Sequence, residues 1–148
     1  MNHFDADYCY SFPAVRGIQA GRPFYIATCP MRIIPKIFNF DESEVPPELR
    51  AQRTLNKSRI PEMVRYLLEN PKDYVFSALT ASIAVDVEFA EHPGSNNLGT
   101  LRVPMDAQIL INDGQHRRKA IEEALVERPE LGQDNIPVLF FVDEGLTR

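Results

Sequence analysis

A single glycine, Gly114, separates an apolar strand pattern, Ala107 to Asn112, from a helix pattern that opens on Arg117, Arg118 and Lys119. A strand that turns into a helix through glycine fixes local geometry more tightly than any other stretch of this chain. Glycine lets the backbone turn sharply and leaves the first helical N–H groups open. Those N–H groups, the positive end of the helix dipole and the Arg117 guanidinium all favour an anion at one point. Asp113, Gly114, Gln115, His116 and Arg117 therefore read as a phosphate site.

Helical phase divides the labour among the cations. Ala120, Ile121, Ala124 and Leu125 form the apolar stripe, and one turn back the same stripe carries His116 and Arg117. These two are expected to face a cleft at the top of a sheet. Arg118 and Lys119 share the opposite face with Glu122 and Glu123 and are expected to face solvent. Cations in a first turn oppose the helix dipole, at about 0.3–1 kcal/mol each where exposed. A bound anion compensates that cost. The competing account is that Asp113 caps the helix and neutralises Arg117, which needs no ligand. His116 is open to three roles, namely phosphate contact, proton donor and buried hydrogen-bonding group.

The rest of the 148-residue chain suits one domain with a proper core. No window approaches the roughly 18 apolar residues of a membrane span, and the first ten residues do not form a secretory signal. Two cysteines make no disulfide framework, so a cytoplasmic location is expected. His3, His92 and His116 are far apart and Cys9 and Cys29 lack ligand spacing, so no metal site is expected. The net charge of -5 is unevenly spread, with 9 Lys/Arg against 5 Asp/Glu between Arg16 and Arg65. A local basic surface is compatible with DNA despite the overall sign. Arg50, Arg53, Lys57 and Arg59 are its candidates, either along the phosphate cleft or as solvated charges. Cys29 ends a strand with Arg22, Arg32 and Lys36 near in sequence. Nearby cations lower a thiol pKa, so Cys29 is a candidate functional thiol; the alternative is a small core residue.

Strand patterns are expected at Pro23–Thr28 (ended by Cys29-Pro30), Ile33–Phe40, Tyr74–Ile83, Val85–Phe89, Leu101–Val103 and Ile136–Val142. Asp41–Pro47 reads as an acidic turn and His92–Gly99 as a polar loop. Helices are expected over Glu48–Leu55, from Pro61 to Asn70-Pro71, and after Gly114. Mixed strands and helices imply an α+β domain with a small mixed sheet.

The run Ile111-Asn112-Asp113-Gly114-Gln115-His116-Arg117, followed by Ala120-Ile121, resembles the DGQHR-domain proteins, among them the DndB family of the bacterial DNA phosphorothioation (DNA sulfur modification) system. Gln52-Arg53, Leu55-Asn56, Arg59-Ile60 and Tyr66-Leu67 look like that family's upstream segment, and Ile136–Phe141 looks like the strand after its motif helix. The resemblance covers the chain from about Gly21 onward. It implies a ParB/sulfiredoxin-like fold in which the strand–glycine–helix turn holds phosphates. Sulfiredoxins carry a reactive cysteine where this chain has Gln115, so thiol chemistry at that position is excluded. The resemblance further implies that residues 1–148 form one DGQHR-type domain, the N-terminal portion of a longer protein. Three functions fit. The first is a DNA-binding repressor of the modification operon. The second is a nucleotide-binding enzyme of ATPase or nicking type that takes a nucleoside triphosphate. The third is an interaction module for an acidic partner. DNA, other proteins of the modification system and a second copy of the chain are the partners these imply, with no membrane.

Overall fold

The computed structural model describes residues 8–38 and 57–143, with Lys57 described by its backbone alone. Two long strands open the fold, β1 (Cys9–Gln19) and β2 (Arg22–Pro30), joined by Ala20-Gly21. Both turn residues have positive φ, 54° and 75°, the left-handed backbone that a two-residue hairpin between twisted strands requires. At Pro30 the chain leaves the sheet. The Met31 N–H donates to the Asp134 carbonyl, and a 3-10 turn (Met31–Ile33) leads into the short helix α1 (Ile34–Ile37). Helix α2 (Ile60–Glu69) has Pro61 in its first turn, where the missing N–H costs nothing, and ends where the Asn70 amide donates to the Tyr66 carbonyl. There follow β3 (Leu79–Ile83), β4 (Glu88–His92), β5 (Ser95–Pro104), β6 (Ile109–Asp113), helix α3 (Gln115–Glu127), a 3-10 turn (Pro129–Gln133) and β7 (Asn135–Val142).

The strands form one mixed sheet in the order β4-β5-β1-β2-β7-β3-β6. Neighbours are antiparallel except β3 and β7, which run parallel with Leu79 opposite Val138. The chain is α+β. Alternation along the strands places Phe12, Ala27, Leu79, Ala81, Val138 and Phe140 on one face, against Ile34, Phe38, Leu67, Ala120, Ile121 and Ala124 of the helices. The Phe140 ring stacks between Phe12 at 6.3 Å and Phe38 at 6.2 Å. No described element covers the opposite face. There Val15 lies in register with Ile26 on one side and Leu98 on the other, and all three are close to half exposed.

Several strand expectations are corrected. Ile33–Phe40 is not a strand up to Phe38, where its described part ends: Ile34, Ile37 and Phe38 recur at helical spacing and bury one side of α1. Of Tyr74–Ile83 only Leu79–Ile83 pairs, because Tyr74 is held off the sheet by its hydroxyl hydrogen bond to Asp134. The strand expected at Val85–Phe89 starts at Glu88. The expected polar loop His92–Gly99 is the tip of the β4–β5 hairpin, with His92 opposite Ser95 around Pro93-Gly94. Its polar residues suit an exposed edge rather than a loop. Strand β1 was not anticipated. The acidic turn Asp41–Pro47 and the helix Glu48–Leu55 lie outside the described residues.

Arg118 does not face solvent as a surface charge. Its Nε donates to the Phe38 carbonyl at 2.7 Å and its Nη2 to the Pro35 carbonyl at 3.1 Å, while Nη1 lies 3.0 Å from Glu122. It thus ties the end of α1 to the first turn of α3, across 80 residues of sequence. Among the described residues Lys119, by contrast, pairs with Glu122 at 2.7 Å on the helix exterior. Hydrogen bonds to a charged group contribute about 1.5–3 kcal/mol, exposed ion pairs about 0–1. Arg118→Met is therefore expected to lower unfolding free energy in urea by about 1–3 kcal/mol, and Lys119→Met by less than about 0.5.

Candidate functional site at the start of helix α3

Edge strand β6 delivers the chain to Gly114, whose φ of 114° and ψ of 17° lie in the left-handed region. A Cβ at this position would sit 2.4 Å from Leu79 Cδ2 and 3.1 Å from Arg117 Nη2. Packing against β3 and the backbone turn both demand glycine here. Helix α3 then begins with no side-chain cap and no acidic residue in its first turn. Asp113 is consequently not the helix cap; it is the last residue of β6, mostly exposed, with Oδ2 3.7 Å from Arg117 Nη2. The expectation that Asp113 alone could account for the junction fails on the capping half and holds only as a long ion pair.

The motif residues divide according to what each side chain meets. Arg117 is largely buried, and its Nη2 donates to the Ala78 carbonyl at 3.0 Å. Its Nε is buried with no hydrogen-bond partner among the described residues. Gln115 turns back and donates to the Ile111 carbonyl at 3.3 Å, which secures the junction rather than facing outward. His116 is held below the usual histidine value, first by burial, then by the Arg59 and Arg117 cations. Arg59, 57 positions earlier in the chain, is therefore near enough to His116 to act on it electrostatically. Arg59, His116 and Arg117 thus gather at an uncapped, dipole-positive helix start.

The remaining candidates do not join this group. Arg50 and Arg53 lie outside the described residues, as does the Lys57 side chain. Cys29 lies in the core opposite Ile136, fully buried, and burial pushes its thiol up to about 12. The expectation that neighbouring cations would lower its pKa is corrected, since desolvation sets the shift. No group of three or more His, Cys, Asp or Glu among the described residues is placed to hold a metal ion, and no described helix is long and apolar enough to cross a membrane. Sequence reasoning did not find the Ala78 carbonyl or Leu79, both of which act on Gly114 and Arg117 from β3 and its approach. No local pattern announces such partners.

A family model described as DndB, DNA-sulfur modification-associated, matches residues 12–148. The chain belongs to the DndB family. Membership ties it to DNA sulfur modification. No curated protein and no solved structure matches it.

Two outcomes are expected of this site and its surroundings. His116 takes up a proton less readily folded than unfolded, so its contribution to stability is complete above the ordinary histidine value of about 6.5. It is lost as pH falls from there toward the lowered folded value. The difference in urea stability between wild type and His116→Gln should therefore shift against wild type between pH 7.5 and 5. The buried Cys29 thiol is expected to resist a disulfide-exchange reagent at pH 8 in the native protein and to react promptly once unfolded.

Proposed function

We propose that the chain is a DNA-binding regulator that represses the operon for DNA phosphorothioate modification, and that the start of α3 grips a backbone phosphate. The observation that carries this reading is the gathering of Arg59, His116 and Arg117 at an uncapped helix start. An anion there would satisfy open N–H groups, offset the cations' conflict with the dipole and give the buried Arg117 Nε a nearby negative charge. DNA phosphates are the anions that a DNA-modification family encounters in greatest number. A protein with net charge -5 must meet them through a local surface, and this end of α3 provides one. Arg50, Arg53, Lys57 and Arg59 would extend the contact along the backbone. Phosphate contacts position a protein on DNA and leave sequence choice to other groups.

The test is fluorescence anisotropy with a duplex from upstream of the modification genes, measured across a salt series. Charge-neutralising Arg50, Arg53 and Arg59 together should flatten the slope of log K against log salt by about two to three. His116→Gln should weaken binding most at the acid end, because a phosphate beside the imidazole favours its proton. DNA binding unchanged in the triple variant would overturn the choice of surface. Saturable ATP binding in calorimetry that survives excess duplex would favour the nucleotide-binding enzyme instead.

A further inference from the structure

Helix α3 carries cations in its first turn and carboxylates toward its end, and the phosphate reading accounts only for the first. The C-cap residue Arg128 turns to α2, where Nη1 donates to the Leu68 carbonyl at 3.3 Å. Its last turns carry Glu123 and Glu127, and the adjoining α2 ends on Glu69; neither helix has a basic residue in its last turn. The C-terminal end of a helix dipole is negative and favours cations, while Glu123 and Glu127 also repel one another at i,i+4. Glu122, one turn earlier, is already engaged by Arg118 and Lys119. Glu69, Glu123 and Glu127 are all exposed and form no ion pair among the described residues.

These three carboxylates rim a groove of about 590 Å³ between α2 and α3. Val64, Leu68 and Val126 line its apolar part, and Val126 is 81% exposed although Ala120, Ile121 and Ala124 of the same helix are buried. Among the described residues Arg65 lines it and Arg128 lies beside it at the Leu68 carbonyl, so the three carboxylates still outnumber the cations. DNA is repelled from such a surface. An occupant must bring apolar side chains for Val64, Leu68 and Val126 together with cations for the rim.

We propose that the α2–α3 groove docks a cationic amphipathic helix of a protein partner. Its apolar stripe would cover Val126 and Leu68, and Lys or Arg residues one turn apart would meet Glu69, Glu123 and Glu127. Along α3 the groove carboxylates Glu123 and Glu127 lie nine and thirteen residues beyond Gly114, about 13–20 Å along the helix axis. The proposal stands whether or not the DNA reading does.

The probe is a fluorescein-labelled Leu/Lys peptide of about four helical turns, with a scrambled peptide of equal composition that lacks an apolar stripe. Polarisation titration should give saturable binding of the first and at least about tenfold weaker binding of the second. Glu123→Lys with Glu127→Lys should weaken binding by about tenfold or more, as should Val126→Lys, which puts a cation on the apolar part of the groove. Asp86→Lys with Asp106→Lys makes the same charge change at exposed sites away from the groove, and should stay within about twofold of wild type. All the substituted residues are exposed, and circular dichroism checks that each variant is folded. Equal binding of the scrambled peptide, equal weakening by the Asp86 and Asp106 pair, or no loss in the Glu123 and Glu127 pair overturns the proposal.

Discussion

The parallel pairing of β3 with β7 is the constraint on which the rest of the structure depends. Strand β7 is antiparallel to β2 and parallel to β3, so it joins the meander β4-β5-β1-β2 to the pair β3-β6 that leads into Gly114. A parallel neighbour cannot be reached by a tight turn and needs a long connection. The core aromatics supply the energy that holds this arrangement. Phe140 of β7 is sandwiched by Phe12 from the meander and Phe38 from the end of α1, and burying a side chain of that size contributes about 1.5–3 kcal/mol. Leu79, on the adjoining strand, also fills the space that a side chain on Gly114 would need. The same layer of packing therefore sets both the sheet and the turn into α3.

Helix α3 survives with unfavourable charges at both ends because packing outweighs them. An exposed charge against the dipole costs about 0.3–1 kcal/mol, whereas Ile121 alone gains about 1.5–3 kcal/mol from full burial. Arg118 adds hydrogen bonds to the Pro35 and Phe38 carbonyls, and in doing so removes one of the three first-turn cations from the exposed set. With Lys119 paired to Glu122, what remains at the helix start is a different group from the one the sequence suggests: Arg117 and His116, with Arg59 acting on His116 from outside the helix. With stability secured by the buried face, the helix tolerates these charges at its ends.

Much of this was legible in sequence wherever a rule is local. Gly114 marks a left-handed turn, Pro61 and Asn70-Pro71 bracket α2, and the buried face of α3 follows from the spacing of Ala120, Ile121 and Ala124. The failures have equally physical causes. Strand β1 carries Pro13 and Gly17, which argue against a strand, yet Pro13 pairs with Thr100 of β5 just before the β2 pairing begins at Ala14. Ile33–Phe40 is short and apolar, and such a run fits a strand or a buried helical turn equally well. Arg118 showed its i,i+4 partner Glu122 but not a carbonyl 80 residues away. The neighbours of Cys29 in sequence include cations, whereas its neighbours in space are the core.

Gly114 itself has a different meaning in three dimensions. The side of the residue left open by the missing side chain faces Leu79 and Arg117, so it is filled by protein rather than held open for a ligand. The glycine is needed to make the turn, and the turn in turn sets where the first N–H groups of α3 point. Affinity for an anion would then reside in those N–H groups and in Arg59, His116 and Arg117. Arg117 already spends one Nη2 hydrogen bond on Ala78 and its Nε is buried, so on the proposed reading an anion would meet only the part of the guanidinium that is left exposed. Arg59 acts on His116 from the turn before α2, so the electrostatics of the α3 start are set jointly by two segments far apart in sequence.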